Sequence, residues 1–378
     1  MNAVAPWFDV RRAEAAERFR ALGLPHRRIE DWKYTDLKAA LDGANDVEAD
    51  TIGWEIAKLP TGVELFDLAD LSNAPDWVQA HFGKAATGAM SAASLATARS
   101  GFAVRVTKNL AVNEALSVAF TGAGHARGLI VLEEGAALTL CETRTADVGF
   151  SNIGIEIVLG ANAHLTHIRT AEPAPKAIQV EDVSIRAARD ASYRAHLMNC
   201  GASLSRLTLR VTLKEAGAEA KISGVSVLGD SLHADVTTEI YHAAGHTQSK
   251  QLFKHVVGGK ARTVYQGKIT VAEGADKSDS RQTAKALVLG ERAEADLKPE
   301  LEIFADDVKC AHGAAVGDLD ADSLFYLRAR GIPEAEARSL LIRAFLEEAV
   351  AEIADEAIRA SVWHSVEAAL PRAMGTGA

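Results

Sequence analysis

Two stretches near the middle of the chain, Ile153–Leu159 (IGIEIVL) and Leu207–Lys214 (LTLRVTLK), decide the fold class. In both stretches every second side chain is apolar. Neighbouring side chains of a strand point to opposite faces, so each stretch predicts a β-strand with one buried face. Short strands of this kind continue from about Gly101 to Lys309, and no convincing amphipathic helix interrupts them. This pattern excludes an alternating βαβ sheet.

A turn motif recurs through the strand region: a Gly or Asp, then Ala, then alternating small and polar residues. The motif begins at Gly135, Gly160, Asp190, Gly217, Gly259 and Gly290, with spacings of 25, 30, 27, 42 and 31 residues. A loosely kept period is typical of a solenoid, in which each coil stacks its apolar face on the next. We therefore predict a β-helix. The alternative is a β-sandwich or jelly roll, which would need hairpin turns instead of a recurrent turn motif.

Helical patterns flank the strand region on both sides. Apolar residues recur at helical spacing over residues 11–22 and 31–41, and residues 85–98 are rich in Ala. We predict three units: a helix-containing N-terminal domain (1–100), a β-helix core (101–318) and a C-terminal helical domain (319–378). Because the ends of a solenoid expose unpaired strand edges, we expect the flanking helices to cap them.

The C-terminal helices carry clear boundary signals. Asp320 can cap a helix that ends at Gly331, and Pro333 suits the first turn of the next helix. The second helix has a predicted apolar stripe that includes Leu341, Ala344, Phe345 and Ala349.

Composition restricts the class of protein. The chain has 378 residues, 48% hydrophobic and 24% charged, which is enough for two or three units around a large core. Its 41 Lys and Arg against 51 Asp and Glu give a formal charge of 41 − 51 = −10. Because no dense basic run is interleaved with aromatic residues, we expect no nucleic-acid partner. No stretch approaches about 18 consecutive apolar residues, so we expect no membrane-spanning helix.

The first residues and the cysteines indicate a compartment. Met1–Arg12 contains Asp9 and lacks the apolar core of an export signal. The three cysteines, Cys141, Cys200 and Cys310, are too scattered to suggest a disulfide framework. We therefore expect a cytoplasmic protein with reduced thiols.

Several familiar catalytic motifs are missing from the sequence. There is no Gly-x-x-x-x-Gly-Lys-Ser/Thr loop, so we do not expect the chain to hydrolyse a nucleotide by itself. A Gly-x-Ser-x-Gly elbow and a His-Glu-x-x-His motif are also absent. These absences favour a non-catalytic protein.

One pair of residues has the chemistry of a metal site. Cys310 and His312 are two residues apart, so they share one face if the segment is extended. A thiolate and an imidazole suit iron or zinc, but such ions usually take about four ligands. A metal site here would need further ligands from a second chain or a small molecule, and the alternative is a buried Cys beside a His bonded to backbone. The seven histidines of the strand region are better explained as core or solvent-facing side chains.

Around this pair the sequence resembles a known family. Leu297–Gly317 (LKPELEIFADDVKCAHGAAVG), continued by Leu324–Ile332 (LFYLRARGI), resembles the SufB/SufD family of iron-sulfur cluster assembly proteins. Gly23–Thr35 (GLPHRRIEDWKYT) resembles a second landmark of the same family. The SufB branch carries a Glu-His-Glu type sequence where this chain has Cys310-Ala-His312-Gly, and SufB chains are usually longer. The chain is therefore similar to the SufD branch.

The resemblance implies a fold and a set of partners. It implies a right-handed parallel β-helix between helical segments, and a cytoplasmic, non-catalytic scaffold that pairs with SufB through its β-helix. Each of the two scaffolds would hold one SufC ATPase by its C-terminal helices. ATP binding by SufC would then shift the two β-helices and reshape their interface. A cysteine desulfurase system would supply sulfur, and the complex is also associated with reduced flavin.

The resemblance also implies roles for single residues. His312 matches the histidine held to lie at the SufB interface, where a transient iron-sulfur cluster forms, and Cys310 matches its neighbouring cysteine. SufB would supply the remaining ligands. Five residues fall in the SufC-binding region, and intramolecular packing is the alternative for each: Phe325, Tyr326, Arg330, Leu341 and Phe345.

Two alternative functions stay open on the sequence. One is a SufD homodimer that acts without SufB, since the edges of a β-helix can pair with each other. The other is a β-helical carbohydrate-active enzyme, for which we would expect an export signal and acidic residues clustered on one face of the coils.

Overall fold

The computed structural model describes residues 6–42, 52–145 and 148–375. The α-helices in these ranges are α1 (Pro6–Leu22), α2 (Leu37–Asp42), α3 (Asp76–His81), α4 (Ala89–Thr97), α5 (Ala321–Ala329), α6 (Glu334–Val350) and α7 (Glu356–Ala373). Short 3-10 helices occupy Glu30–Trp32 and Leu68–Asn73. No helix in the described ranges is long and apolar enough to cross a membrane.

The strands occupy most of the chain between the two helical regions. They are β1 (Gly53–Glu55), β2 (Val63–Asp67), β3 (Ser100–Val106), β4 (Leu116–Thr121), β5 (Gly124–Leu132), β6 (Ala137–Arg144), β7 (Val148–Leu159), β8 (His164–Ala171), β9 (Ala174–Ala187), β10 (Ser192–Asn199), β11 (Ala202–Leu213), β12 (Glu219–Leu228), β13 (His233–His242), β14 (Gln248–Val257), β15 (Arg262–Val271), β16 (Asp279–Val288), β17 (Glu294–Ile303) and β18 (Lys309–Gly317).

The strands form two sheets that confirm the predicted β-helix. The even sheet contains β1 and then the even-numbered strands β4 to β18, and the odd sheet contains β2 and the odd-numbered strands β3 to β17. Each of the eight coils gives one strand to each sheet, and strands of successive coils pair in parallel. Parallel pairing excludes the β-sandwich alternative, whose hairpins would pair neighbouring strands antiparallel.

One corner of the solenoid needs a left-handed residue in nearly every coil. The residues with φ between 55° and 76° at this corner are Asn109, Gly135, Asn162, Asp190, Gly217, His246 and Lys277. The backbone N–H of Asn162 donates to the carbonyl of Arg189 in the next coil over 2.8 Å. Gly, Asn and Asp tolerate positive φ best, which explains why the turn motif is rich in them.

The predicted repeat combines two different corners. Gly160 and Gly217 lie where the chain passes from the odd sheet to the even sheet, whereas Gly259 and Gly290 lie where it passes back. The interval of 42 residues arises where the series changes from one corner to the other.

The helices pack on the outer faces of the sheets. Apolar side chains of α1 and α3, such as Phe8 and Val78, join an apolar cluster with the odd sheet that includes Leu129. Those of α6 and α7, such as Leu346 and Val366, join an apolar cluster with the even sheet. The expectation that helices cap the solenoid ends is wrong at the last coil: β17 and β18 end their sheets, β18 is mostly exposed, and β17 is mostly half-buried. The first coil is covered by two antiparallel strands: β1 pairs with β4, and β2 pairs with β3.

A buried ion pair fastens the N-terminal helices to the odd sheet. Arg127 Nη2 lies 2.6 Å from Glu156 Oε1, and both side chains are at most 2% exposed. The two Glu156 oxygens also accept the backbone N–H groups of Gly83 and Ala85, each over 2.7 Å. One carboxylate therefore holds both the sheet and the segment between α3 and α4.

The C-terminal boundaries agree with the capping signals, but the predicted stripe is partly wrong. Asp320 accepts the N–H of Ser323 over 2.7 Å, and Gly331 has φ +87°. Within the predicted stripe, Ala344 is exposed, whereas Ala349 is buried. The buried line of α6 consists of Ala337, Ile342, Leu346, Ala349 and Val350. The face that meets the sheet is thus rotated by about one residue, which an Ala-rich helix does not reveal in its sequence.

Candidate functional site

The last coil leaves an open edge at the end of both sheets. Strand β18 pairs with β16 on one side, and β17 pairs with β15. The edge carries exposed apolar side chains as well as free backbone groups: Ile303 is 41%, Phe304 63% and Val316 53% exposed. A strand edge of this kind can pair with another chain.

Cys310 lies on β18 at this edge. It is half-buried beside Ser280 of the preceding coil and packs against the solenoid core. Burial, with a further contribution from the charge of Asp279, raises the pKa of the Cys310 thiol. The thiol is therefore protonated at neutral pH, and a metal ion would have to displace its proton.

His312 lies two residues further along the same strand and is exposed. The alternation of a strand puts it on the same face as Cys310, roughly 6.6 Å along the strand axis. In register beneath it lies Gln282, which is buried and donates to the hydroxyl of Tyr265 over 2.9 Å. The tyrosine in turn donates to Gln251 over 3.2 Å, so a polar chain leads from the edge into the solenoid.

The edge holds an incomplete ligand set. In residues 6–42, 52–145 and 148–375, no three His, Cys, Asp or Glu side chains come together to hold a metal ion. Asp307, which precedes β18, is paired with Lys277. The pair Cys310 and His312 could therefore hold an ion or a cluster only with ligands from outside this chain.

The interior histidines of the solenoid have other partners. His242 bonds to Thr247 over 2.8 Å and to Ser249 over 2.9 Å, and His255 bonds to Thr263 over 2.9 Å. Burial lowers the pKa of His242 to about 4 and that of His255 to about 3. These two histidines are neutral core residues, one of the two roles that the sequence predicts for histidines of the strand region.

Helix α5 presents aromatic side chains to solvent. Phe325 is 74% and Tyr326 56% exposed, and the guanidinium of Arg330 lies 4.8 Å from the centre of the Tyr326 ring. An exposed aromatic pair with a stacked arginine is a common composition of protein interfaces.

The other two predicted SufC-binding residues lie closer to the solenoid. Leu341 is half-buried, and Phe345 packs against the apolar cluster between α6, α7 and the even sheet. The ammonium of Lys254 on β14 lies 4.5 Å from the centre of the Phe345 ring. Phe345 therefore has an intramolecular role in addition to any external one.

The second sequence landmark docks on the odd sheet. Thr35 Oγ1 donates to Asp235 over 2.5 Å and lies 3.0 Å from His233 Nε2. The ring of Trp32 stacks on the guanidinium of Arg206, whose carbon is 4.1 Å from the ring centre. The helical pattern over residues 31–41 forms a 3-10 turn and α2 instead of one helix.

Comparison with known proteins identifies the family. The model of the SufBD core domain, described for FeS cluster assembly in the SUF system, matches residues 116–345, and the model of the SufBD N-terminal region matches residues 2–57. The chain belongs to the SufBD family. It is 28% identical to the iron-sulfur cluster assembly protein SufD of Escherichia coli, over 98% of this chain and 97% of that protein. It is 30% identical to a SufBD family assembly protein of Synechocystis, over 91% of this chain and 87% of the relative.

These matches confirm the resemblance and its branch. A SufBD family protein of Mycobacterium tuberculosis is 28% identical over 92% of this chain and 89% of its own length. The alignment with a SufD over nearly the full length makes this chain a SufD-type member of the SufBD family, an iron-sulfur cluster assembly protein. The SufBD core model runs from β4 into α6, so it includes the open edge and α5.

Some features of the SufBD site could not be read from the sequence. The open edge depends on which coil is last and on the absence, among the described residues, of a helix that caps it. Likewise, nothing in the sequence links Thr35 to Asp235, since 200 positions separate them. Only the spacing of Cys310 and His312 gave a signal, and the structure brings these two residues together on β18.

Proposed function

We propose that this chain is the SufD-type scaffold subunit of a complex with SufB and SufC that assembles an iron-sulfur cluster and transfers it to apoproteins. It acts as a non-catalytic, cytoplasmic partner of the SufC ATPase. The observation that carries the proposal is the open edge of the last coil, where His312 is exposed and Cys310 is half-buried.

The open edge supports pairing with SufB through strands. An unpaired edge offers backbone donors and acceptors, and Phe304 and Val316 add apolar surface to it. A partner β-helix docked there would bring its own side chains to the face that carries Cys310 and His312. The transient cluster is the cargo of this shared site, and SufB supplies the ligands that this chain lacks.

Helix α5 supports docking of SufC. Phe325 and Tyr326 are exposed to solvent in this conformation, so docking into a groove on a partner would remove them from water. Helix α6 follows α5 after a short turn and packs on the even sheet. Movement of SufC on α5 would therefore be transmitted to the solenoid. This route couples ATP hydrolysis in SufC to the open edge.

The cluster site is tested by co-expressing the chain with SufB and SufC and reconstituting the purified complex anaerobically. We expect a visible cluster band for the wild type and its loss in His312→Ala. The matched control is His164→Ala, which removes another exposed strand histidine far from the edge. An equal band in His312→Ala and wild type would remove His312 from the site. Loss of the band in both His312→Ala and His164→Ala would show that the effect is not specific to His312.

A second arm of the experiment separates SufB pairing from self-pairing. The chain is reconstituted alone, with the same two variants. A cluster band that depends on His312 without SufB would support the homodimer and overturn the shared site with SufB.

The SufC contact is tested by measuring SufC affinity for Phe325→Asp. Truncation of a central aromatic anchor usually costs more than about tenfold in affinity. Val10→Asp is the control, because Val10 is 59% exposed on α1 at the opposite end of the chain. Unchanged affinity in Phe325→Asp would exclude α5 as the docking helix.

A further inference from the structure

A ladder of basic side chains follows the outer face of the even sheet. Arg194, Lys221, Lys250 and Arg281 occupy the same register position on β10, β12, β14 and β16. Neighbouring strands lie about 4.8 Å apart, and like charges directly opposite each other destabilise a sheet. Four cations in one column therefore require nearby negative charges to offset their repulsion.

The acidic neighbours of the ladder compensate it only in part. Glu219 lies 3.3 Å from Arg194 but 3.9 Å from the ammonium of Lys221, which is too far for a hydrogen bond. Lys250 is paired with Glu352 over 2.7 Å, and Arg281 lies 3.6 Å from Asp279. The first three cations of the ladder thus face two carboxylates, which leaves one surplus positive charge.

This surplus charge lies at the mouth of a cavity. The cavity has a volume of about 170 Å³ and lies between the even sheet and the turn that joins α6 to α7. Arg194, Lys221 and Lys250 line its rim, and its walls include Ile168, Leu252 and Ile353, which are at most 6% exposed. The lining also includes the polar side chains of Thr166, His196, Ser223 and Glu352. An apolar floor with fixed polar groups around it is the usual form of a small-molecule site.

We propose that this cavity binds a small organic monocarboxylate, with its apolar part against the floor and its carboxylate between Lys221 and Lys250. A single surplus charge fits a monoanion. A carboxylate fits better than a phosphate, because one surplus charge does not balance a dianion and no glycine-rich nest, a feature that recognises phosphate, is among the lining residues.

Binding at this place would act on the C-terminal helices. The ligand carboxylate competes with Glu352 for Lys250, and Glu352 belongs to the turn between α6 and α7. Occupancy therefore weakens the Lys250–Glu352 contact between that turn and the sheet, while the buried side chain of Ile353 keeps the turn in place. The proposal goes beyond cluster assembly and does not depend on SufB or SufC.

The test uses the full chain alone and 4-fluorobenzoate as the probe, followed by fluorine NMR line broadening. A ligand of about ten non-hydrogen atoms should bind with a millimolar dissociation constant. We expect Lys221→Met to weaken binding about tenfold, which corresponds to loss of one charge-assisted contact. Arg281→Met is the matched control: it removes a charge from the same ladder outside the cavity, and binding should stay within about twofold.

Further outcomes decide between a site and general attraction to positive charge. Neutral 4-fluorobenzamide should bind at least tenfold more weakly, and Glu352→Gln should strengthen binding of the benzoate because it removes the competing carboxylate. Equal binding of the amide, equal losses in Lys221→Met and Arg281→Met, or broadening that never saturates would each overturn the proposal. Thermal unfolding of each variant verifies that the fold is intact.

Discussion

At the scale of single residues, the solenoid interior contains charges that differ in how well they are paired. Arg169 donates to Glu181 Oε2 through Nε over 2.8 Å, and its Nη2 lies 2.7 Å from the same oxygen. Arg144 lies beside the same carboxylate at 3.7 Å, and its three guanidinium nitrogens have no hydrogen-bond partner among the described residues. Both side chains are 2% exposed. Burial lowers the pKa of Arg144, whereas Glu181 raises that of Arg169 against the effect of burial.

This difference predicts opposite results for two chemically identical substitutions. Arg169→Met leaves Glu181 without its bonded partner and should cost about 3 to 5 kcal/mol in the free energy of unfolding. Arg144→Met removes a buried guanidinium that makes no hydrogen bond to Glu181 and should cost less than about 1 kcal/mol, or stabilise the protein. Urea unfolding of both variants measures the difference. Equal destabilisation would mean that the two arginines share Glu181 equally in solution.

At the scale of elements, the N-terminal landmark acts as a clamp on the odd sheet. Asp235 is fully buried, accepts from Thr35 and is paired with Arg206 over 2.7 Å. Asp235→Asn leaves the Arg206 charge buried without a counter-ion, so we expect a loss of about 3 kcal/mol. Hydrogen exchange should also rise over residues 24–42, because the segment loses its anchor.

A matched control for the clamp is Asp296→Asn. Asp296 is paired with Arg262 over 2.7 Å, but both side chains are about one-third exposed. Partly exposed pairs contribute less than about 1 kcal/mol. Equal effects of the two substitutions would show that burial of the Arg206 pair does not matter.

The attachment of α6 to the even sheet should depend on pH. Lys254 on β14 is 3% exposed and bonds to Glu348 of α6, and this bond lowers the pKa of Glu348. A carboxyl whose pKa is lower in the folded protein stabilises it above the unfolded pKa of about 4.3, and this contribution disappears as pH falls through the folded value. The difference in stability between wild type and Glu348→Gln should therefore shrink between about pH 5 and pH 3.

The control for this pH effect is Glu347→Gln, which changes the neighbouring exposed residue of the same helix. This variant keeps the bond between Lys254 and Glu348, so it should lose the contribution of that bond between about pH 5 and pH 3 as the wild type does. Chemical unfolding at several pH values measures both variants. A constant difference for Glu348→Gln would mean that the Lys254 bond does not persist in solution.

At the scale of the whole molecule, the sequence predicts what repeats and misses what depends on distant partners. Alternation in Leu207–Lys214 and the Asn, Asp and Gly turns specify coils, because each is a local requirement of backbone and burial. The position of the helices is not local. No sequence pattern near α6 predicts that this helix packs on the side of the solenoid and leaves the last coil open.

The candidate site follows the same rule. The spacing of Cys310 and His312 is local and could be recognised, and both lie on β18. The contact between Trp32 and Arg206 joins residues 174 positions apart, so no local sequence pattern predicts it. Long-range docking is set by the assembled solenoid, which exists only after the coils have stacked.

The open edge predicts how the isolated chain behaves. A long unpaired edge with exposed apolar side chains promotes association, so we expect the chain without partners to self-associate through its last coil. Phe304→Lys combined with Val316→Lys places charges at the edge and should return the protein to a monomer in sedimentation velocity. Both residues are more than half exposed, so the free energy of unfolding should change by less than about 1 kcal/mol. Val10→Lys combined with Leu340→Lys adds the same charge at exposed apolar positions on α1 and α6 and should leave the association unchanged. Self-association that persists in the edge variant would place the contact elsewhere and weaken the case that this edge is the pairing surface for SufB.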